Sequence, residues 1–204
     1  MIKALNQFPI LISMKVLIVD FEDSFTFNIQ GMINDWGITS EVLHYKKLSL
    51  EEIKKNYHTI IWGPGPGHPN EYASAIKLIE EVFKQNNIYQ IGICLGHQLI
   101  FKSLGFEIVE APQKRHGRRT GYQVPSWEEF DQKYGGTELW VQYYSSLAVK
   151  ESVSLKEGLE YTIKDGVIDS GKGPNHLSFQ FHPESVGTNC PEVLFYKWRK
   201  SLIQ

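Results

Sequence analysis

Gly92-Ile93-Cys94-Leu95-Gly96 places a cysteine between two glycines, after an apolar run and ahead of a helical pattern. That is the setting of a nucleophile elbow with sulfur in place of a serine oxygen. A sharp strand-to-helix turn strains the backbone of its central residue, and neighbouring side chains would collide where the chain doubles back. Gly92 and Gly96 remove those side chains. The expected result is a thiol exposed at a helix N-terminus, where unpaired N–H groups and the helix dipole favour thiolate over thiol. A free cysteine is most often a small buried hydrophobe. The glycine pair and the strand–helix setting separate Cys94 from Cys190, which precedes Pro191 in a polar loop and reads as structural.

A thiolate nucleophile needs a base that returns a proton to the leaving group, and the base needs an orienting partner. His182 and Glu184, in Phe-His-Pro-Glu-Ser (181–185), meet that need at the end of a predicted strand. In extended chain an i, i+2 spacing sends both side chains to the same side, and Pro183 stiffens the step between them. His97, three residues past Cys94, is a competing base, although its place at the start of the helix body suits packing or capping better. An H-x-E triplet also occurs in zinc deaminases, but those require a downstream P-C-x-x-C that this chain lacks. The remaining histidines show no ligand spacing, so no metal and no cofactor are expected.

Gly63-Pro64-Gly65-Pro66-Gly67-His68-Pro69 fails as a phosphate cradle. It lacks the Gly-Lys-Ser/Thr ending of a Walker loop, and its alternating prolines delete N–H groups that a phosphate would use. A rigid loop with few, fixed donors suits an oxyanion hole; an ordinary tight turn is the plainer alternative.

These groups need a scaffold. Val16–Val19 is a continuous apolar run, the mark of a strand buried on both faces of a parallel sheet. A helix follows, with Phe25, Ile29, Met32, Ile33 and Trp36 on one face, Asp23 or Ser24 as cap and Gly37 as stop. Strands over 42–44, 59–62 and 90–93 then alternate with helices over 50–56, 73–83 and 97–104. The alternation predicts an α/β fold: an open, doubly wound, mostly parallel sheet with helices on both faces. From Phe106 the pattern changes to strands over 140–143, 161–163, 167–168 and 178–181, which add antiparallel or mixed strands, and a closing helix over 192–202. Ligands of such sheets bind beyond the carboxyl ends of the strands, hence at the loops after Asp20, Trp62, Ile93 and Phe181.

Composition agrees with one soluble domain: 204 residues, 42% hydrophobic, 22% charged, net charge -2. Five Trp, ten Tyr and eleven Phe supply enough apolar area for a full core, which excludes intrinsic disorder. The near-neutral charge offers no field for nucleic acid or anionic lipid, and the basic run Lys114–Arg119 has no interleaved aromatics. Two cysteines make no disulfide framework, so a reducing, cytoplasmic setting is expected. Residues 1–13 lack a signal-peptide layout and read as an extra arm or an upstream start, leaving 14–204 as the domain.

Taken together, Gly-Ile-Cys-Leu-Gly-His-Gln (92–98), Pro-Gly-Pro-Gly (64–67) and Phe-His-Pro-Glu-Ser (181–185) resemble the triad-type glutamine amidotransferases. Asp20-Phe-Glu-Asp-Ser-Phe-Thr-Phe-Asn28 further resembles the opening of the glutaminase components of anthranilate synthase and aminodeoxychorismate synthase. The resemblance implies Cys94 as nucleophile, His182 as general base and acid, and Glu184 as orienter of the imidazole. It also implies that Gly65, Pro66 and Gly67 form the glutamine-binding loop, that Gln98 holds the substrate, and that Ser146 and Leu147 form a backbone clamp. Leu95 would give an oxyanion N–H. The chain departs from the family's usual segments at Tyr144-Ser145-Ser146-Leu147 and Arg115-His116-Gly117-Arg118, near the family's subunit contact.

The implied activity is hydrolysis of L-glutamine to glutamate and ammonia through a cysteinyl thioester. The implied partner is a larger chorismate-binding synthase, serving tryptophan or folate synthesis, that receives the ammonia. Two other classes stay open: a γ-glutamyl peptidase on the same fold, and a regulatory subunit that binds without turnover.

Overall fold

The computed structural model describes residues 15–125, 138–152 and 157–202. The arm expected over residues 1–13 lies outside them.

Strand β1 (Val16–Asp20) is flanked by β2 (Ser40–His44) and β3 (Thr59–Trp62), and β3 pairs with β4 (Tyr89–Ile93), all in parallel. The intervening helices are α1 (Phe25–Asp35), α2 (Leu50–Asn56), α3 (Ala73–Phe83) and α4 (Leu95–Ser103). The continuous apolar run in β1 is explained by its two faces. Val16 and Ile18 join Ile29 and Ile33 of α1 in one cluster, while Leu17 and Val19 join Ile53, Ile79, Val82 and Leu99 on the other side. Burying an aliphatic side chain of this kind contributes roughly 1.5–3 kcal/mol, so neither face of the strand tolerates a polar residue.

The second half is antiparallel apart from one strand. Strands β5 (Ile108–Gln123), β6 (Glu138–Lys150), β7 (Glu160–Lys164) and β8 (Val167–Gly173) lead to β9 (His176–Phe179), which returns to pair in parallel with β4. The sheet runs β2-β1-β3-β4-β9-β8-β6-β5, with β7 also on β8. This is the mostly parallel, helix-flanked sheet with added antiparallel strands that the sequence predicts. Two short helices, α5 (Pro191–Leu194) and α6 (Tyr196–Ser201), close the described chain. A single closing helix was expected there; Phe195, at φ -105° and ψ 10°, breaks it in two.

Other elements also differ from the sequence reading, and β6 and β8 run well past the expected 140–143 and 167–168. Strand β5, sixteen residues long, was not anticipated: it lies at the sheet's edge, pairs only with β6, and its exposed basic stretch has no apolar alternation to betray it. Helix α4 begins at Leu95 rather than His97, since the turn at Cys94 is tight enough to start it at once. β9 stops at Phe179, because the chain leaves the β4 ladder two residues before Phe181.

The glycines around Cys94 are required by space. A Cβ on Gly96 would lie 1.9 Å from the Trp62 carbonyl oxygen, and one on Gly92 would lie 2.7 Å from that of Gly96. Both obstacles are backbone, which cannot rotate away. Gly96→Ala is therefore expected to lower stability by about 3 kcal/mol, read as a fall in the urea midpoint; a variant unfolding with the wild type would contradict the packing.

Candidate active site

Cys94 is the residue between the end of β4 and the start of α4, with φ 53° and ψ -103°. Positive φ in a residue with a Cβ costs of order 1–3 kcal/mol and persists only where the surroundings enforce it. They do so through two hydrogen bonds. The Cys94 N–H donates to the Phe179 carbonyl at 2.9 Å, which prolongs the β4–β9 pairing, and the Gly96 N–H donates to the Gly63 carbonyl at 3.1 Å. The Leu95 N–H, between them, has no partner among the described residues and is the elbow's available donor.

The thiol is less open than the sequence implied. Cys94 is 8% exposed and belongs to the cluster that holds Phe179 and Phe181. Its tie to Phe179 keeps it at the sheet's rim rather than above it.

His182 and Glu184 meet, but not by the extended i, i+2 geometry expected. His182 forms an isolated bridge with Gln142 of β6, its N–H donating to the Gln142 carbonyl at 2.8 Å. The chain then turns, with the Ser185 N–H donating to the His182 carbonyl at 3.2 Å. The turn carries Glu184 Oε1 to 2.7 Å from His182 Nδ1. Thr188 Oγ1 donates to the His182 carbonyl at 2.7 Å and locks the turn. Both side chains are almost wholly buried.

Burial alone would push the imidazole pKa down. The Cys94 and Glu184 side chains beside it, Glu184 also through its hydrogen bond to Nδ1, outweigh it and hold His182 well above the ordinary histidine value. The ring is thus favoured in its protonated form by Cys94 on one side and Glu184 on the other.

His97, the competing base, faces elsewhere. Its Nδ1 lies 2.9 Å from Ser178 Oγ and its Nε2 lies 3.3 Å from the Ile168 carbonyl, and burial pushes its pKa down to about 3. It is a neutral core residue joining α4 to β8 and β9. Cys190 is exposed and left-handed at φ 51°, where it turns the chain into α5. No group of three or more His, Cys, Asp or Glu able to hold a metal occurs among the described residues.

The loop after β3 is tied close to the elbow. A Cβ on Gly65 would lie 2.5 Å from Leu95 Cδ2 and 2.6 Å from Phe21 Cβ, so only glycine lets the loop come this near. Tyr72 donates to the Pro66 carbonyl at 2.9 Å, and Glu71 receives the His68 N–H at 2.7 Å, which fixes the far side of the loop beyond Gly67. Gln98 points its amide nitrogen at Ser145 Oγ, the Leu147 carbonyl and Gln180 Oε1, at 3.1–3.2 Å. Ser145 Oγ also accepts the Leu147 N–H at 3.1 Å. In this arrangement the Gln98 nitrogen is occupied by the 145–147 segment and by Gln180, the Leu147 N–H is occupied by Ser145 of its own segment, and Ser145 is the joint between α4 and Ser146-Leu147.

Two neighbours escaped the sequence reading. Phe25, assigned to the apolar face of α1, packs against His182 with ring centroids 5.1 Å apart and the planes tilted by 57°. Tyr144, noted only beside a departure from the family pattern, lies 5.1 Å from the same ring, edge to face. A period-3.6 pattern cannot tell a residue that faces the core from one at the helix's first turn that faces a site.

With the elbow and the buried imidazole–carboxylate pair in place, comparison with known proteins identifies the family. Residues 17–200 match the family "Glutamine amidotransferase class-I". The chain is a class-I glutamine amidotransferase. It is 34% identical to anthranilate synthase component 2 of Pseudomonas aeruginosa over 85% of this chain and 89% of that protein. Component 2 of Methanocaldococcus jannaschii is 33% identical, over 89% and 90%. Among solved structures, a glutamine amidotransferase of Thermotoga maritima shares the fold at a TM-score of 0.68 and 18% identity, over 92% of this chain and 81% of that one. No helix among the amidotransferase's described residues is long and apolar enough to cross a membrane.

The His182 charge state gives a prediction with a definite sign. A raised pKa means that the ion-pair contribution is complete below the ordinary histidine value and is lost as pH climbs through the raised one. Glu184→Gln removes one of the raising charges, so the protonated ring disappears at lower pH. The alkaline limb of kcat/KM for glutamine is expected to move down by about 1 pH unit or more. An unmoved limb would show that Glu184 does not set this charge.

Proposed function

We propose that this amidotransferase hydrolyses L-glutamine to glutamate and ammonia with Cys94 as nucleophile, His182 as acid and base, and Glu184 as orienter of the ring. The observation that carries the reading is the meeting of Cys94 and Glu184 on one buried imidazole, atop a strained strand-to-helix turn.

The Cys94 thiolate attacks the side-chain carbonyl carbon of glutamine and forms a C–S bond. The resulting oxyanion accepts from the Leu95 N–H and from a donor of the 63–67 loop; each such donor is worth roughly 3 kcal/mol in the transition state. His182 passes its proton to the departing nitrogen as the C–N bond breaks, leaving a glutamyl thioester and neutral ammonia. The ring, now a base, takes a proton from water as the water oxygen attacks the thioester. Cleavage of the C–S bond returns the thiolate–imidazolium pair and releases glutamate. Proton transfer of this kind contributes 10²- to 10⁴-fold. Gly65, Pro66 and Gly67 line the substrate's approach, while Gln98, Ser146 and Leu147 receive its amino-acid end in exchange for the hydrogen bonds that Gln98 and Leu147 make within the site.

Ammonia released into bulk water takes up a proton and ceases to be a nucleophile. A partner must therefore receive it directly. The relatives named component 2 of anthranilate synthase support a larger, chorismate-aminating subunit in that role, of the anthranilate or aminodeoxychorismate type.

Initial rates of glutamate formation, measured alone and with a chorismate-aminating synthase, test both parts. Cys94→Ser is expected to lower the rate by about 10³-fold or more, and equal rates from the two forms would end the reading. Turnover of γ-glutamyl peptides in preference to free glutamine would assign the site to a peptidase instead.

A further inference from the structure

The His182 ring is enclosed by more than Cys94 and Glu184. Phe25, at the first turn of α1, and Tyr144, on β6, each have their ring centroid 5.1 Å from the imidazole, and the two rings pack on each other at 4.9 Å. Three rings from three separate parts of the chain thus form a closed triangle, and one of them carries the proton of the proposed reaction. Each aromatic centroid lies inside the distance of about 6 Å at which a ring and a cation attract, Phe25 tilted at 57° and Tyr144 at 87° to the imidazole plane.

We propose that Phe25 and Tyr144 are positioning residues for His182, holding the plane of the imidazole and favouring its protonated form through their ring faces. This rests on the reading of His182 as the acid of glutamine hydrolysis.

The physical need is plain. A buried imidazolium has lost its water, and an aliphatic sheath would offer nothing in return. Glu184 answers one nitrogen, at Nδ1. Nε2 is buried without a hydrogen-bond partner of ordinary geometry among the described residues, so the remaining stabilisation must come from the Cys94 charge and from what covers the ring. An aromatic cover supplies a field where a leucine cover would not. It also fixes the ring without adding a second acid or base that could take the proton.

The groups that face His182 divide by element. The N-terminus of α4 presents Cys94, the turn after β9 presents Glu184, β6 presents the Tyr144 phenol ring, and α1 presents the uncharged Phe25. Cys94 and Glu184 raise the imidazole pKa and burial lowers it. The aromatic faces act in the raising direction, so removing one lowers the pKa and the protonated ring is lost at lower pH.

Leucine is the informative replacement, because it keeps an apolar cover while abolishing the ring. The full chain labelled with ¹³C,¹⁵N-histidine would be titrated by NMR, the His182 signals being assigned through their absence in His182→Asn. In Phe25→Leu and in Tyr144→Leu the His182 midpoint is expected to fall by about 0.5–1 pH unit. Tyr144→Phe, which keeps the ring and removes only the hydroxyl, is expected to titrate as the wild type does. The alkaline limb of kcat/KM for glutamine is expected to move with the midpoint. Leucine variants that titrate with the wild type would overturn the proposal. So would an equal shift in Tyr144→Phe, which would assign the effect to the hydroxyl. Having two independent rings keeps the test valid should one variant not fold. The titration reads the imidazole whether or not the chain turns glutamine over, so absence of glutaminase activity would refute the proposed reaction and leave the aromatic contribution separately measured.

Discussion

The turn at Cys94 is the constraint on which the rest of the structure depends. A residue with a side chain is held at φ 53°, and the positions two residues to either side of it, Gly92 and Gly96, have no room for a Cβ. Trp62 presses on Gly96, Gly96 presses on Gly92, and the Gly63 carbonyl captures the Gly96 N–H. Each contact joins the end of one parallel strand to the start of α4. The strain is enforced by the sheet, and release of the sheet would release the turn. Keeping the turn at Cys94 rigid therefore requires the whole parallel half of the fold, with both its apolar faces covered.

The second half brings the His182–Glu184 pair to that turn. β9 is the hinge between the halves: it pairs in parallel with β4, whose end bears Cys94, and antiparallel with β8. His182 follows β9 by three residues, so the neighbour relation of β4 and β9 alone delivers it to the right edge. What aims it is the antiparallel ribbon. β6 accepts the His182 N–H through Gln142, and the Tyr143 phenol donates to the Asp169 carboxylate at 2.8 and 2.9 Å, tying β6 to β8 beneath. The antiparallel ribbon thereby sets the geometry of the His182 imidazole.

Electrostatics then follow from the packing. In a site this dry, charges interact far more strongly than at a surface, and an unpaired ion would be expelled or neutralised. His182 is held toward its charged form here because Cys94 and Glu184 flank it and outweigh the effect of burial. The contrast with His97 is instructive. It is as deeply buried, has only neutral partners, and is held uncharged. Two histidines of one small domain occupy opposite charge states, and the difference lies in their neighbours rather than in their depth.

The parallel half was legible from the chain because a doubly buried strand must be apolar at every position and an elbow must have glycine on both sides of its nucleophile. Runs such as Val16–Val19 and the Gly92, Cys94, Gly96 spacing have few other physical explanations. The antiparallel half was less legible. β5 carries polar and basic residues through most of its length and draws its stability from hydrogen bonds to β6, which leave no periodic mark. The Phe195 break and the turn that carries Glu184 to His182 are likewise set by distant packing. The covalent sequence by itself determined which groups can react and that a parallel sheet must hold them, since residue type and local spacing are what those depend on. Only the tertiary structure decided that Cys94 sits at the rim rather than above it, that His97 is inert, and that Phe25 and Tyr144 close over the imidazole, because each of these is a matter of which residues, far apart along the chain, exclude water from the same small volume.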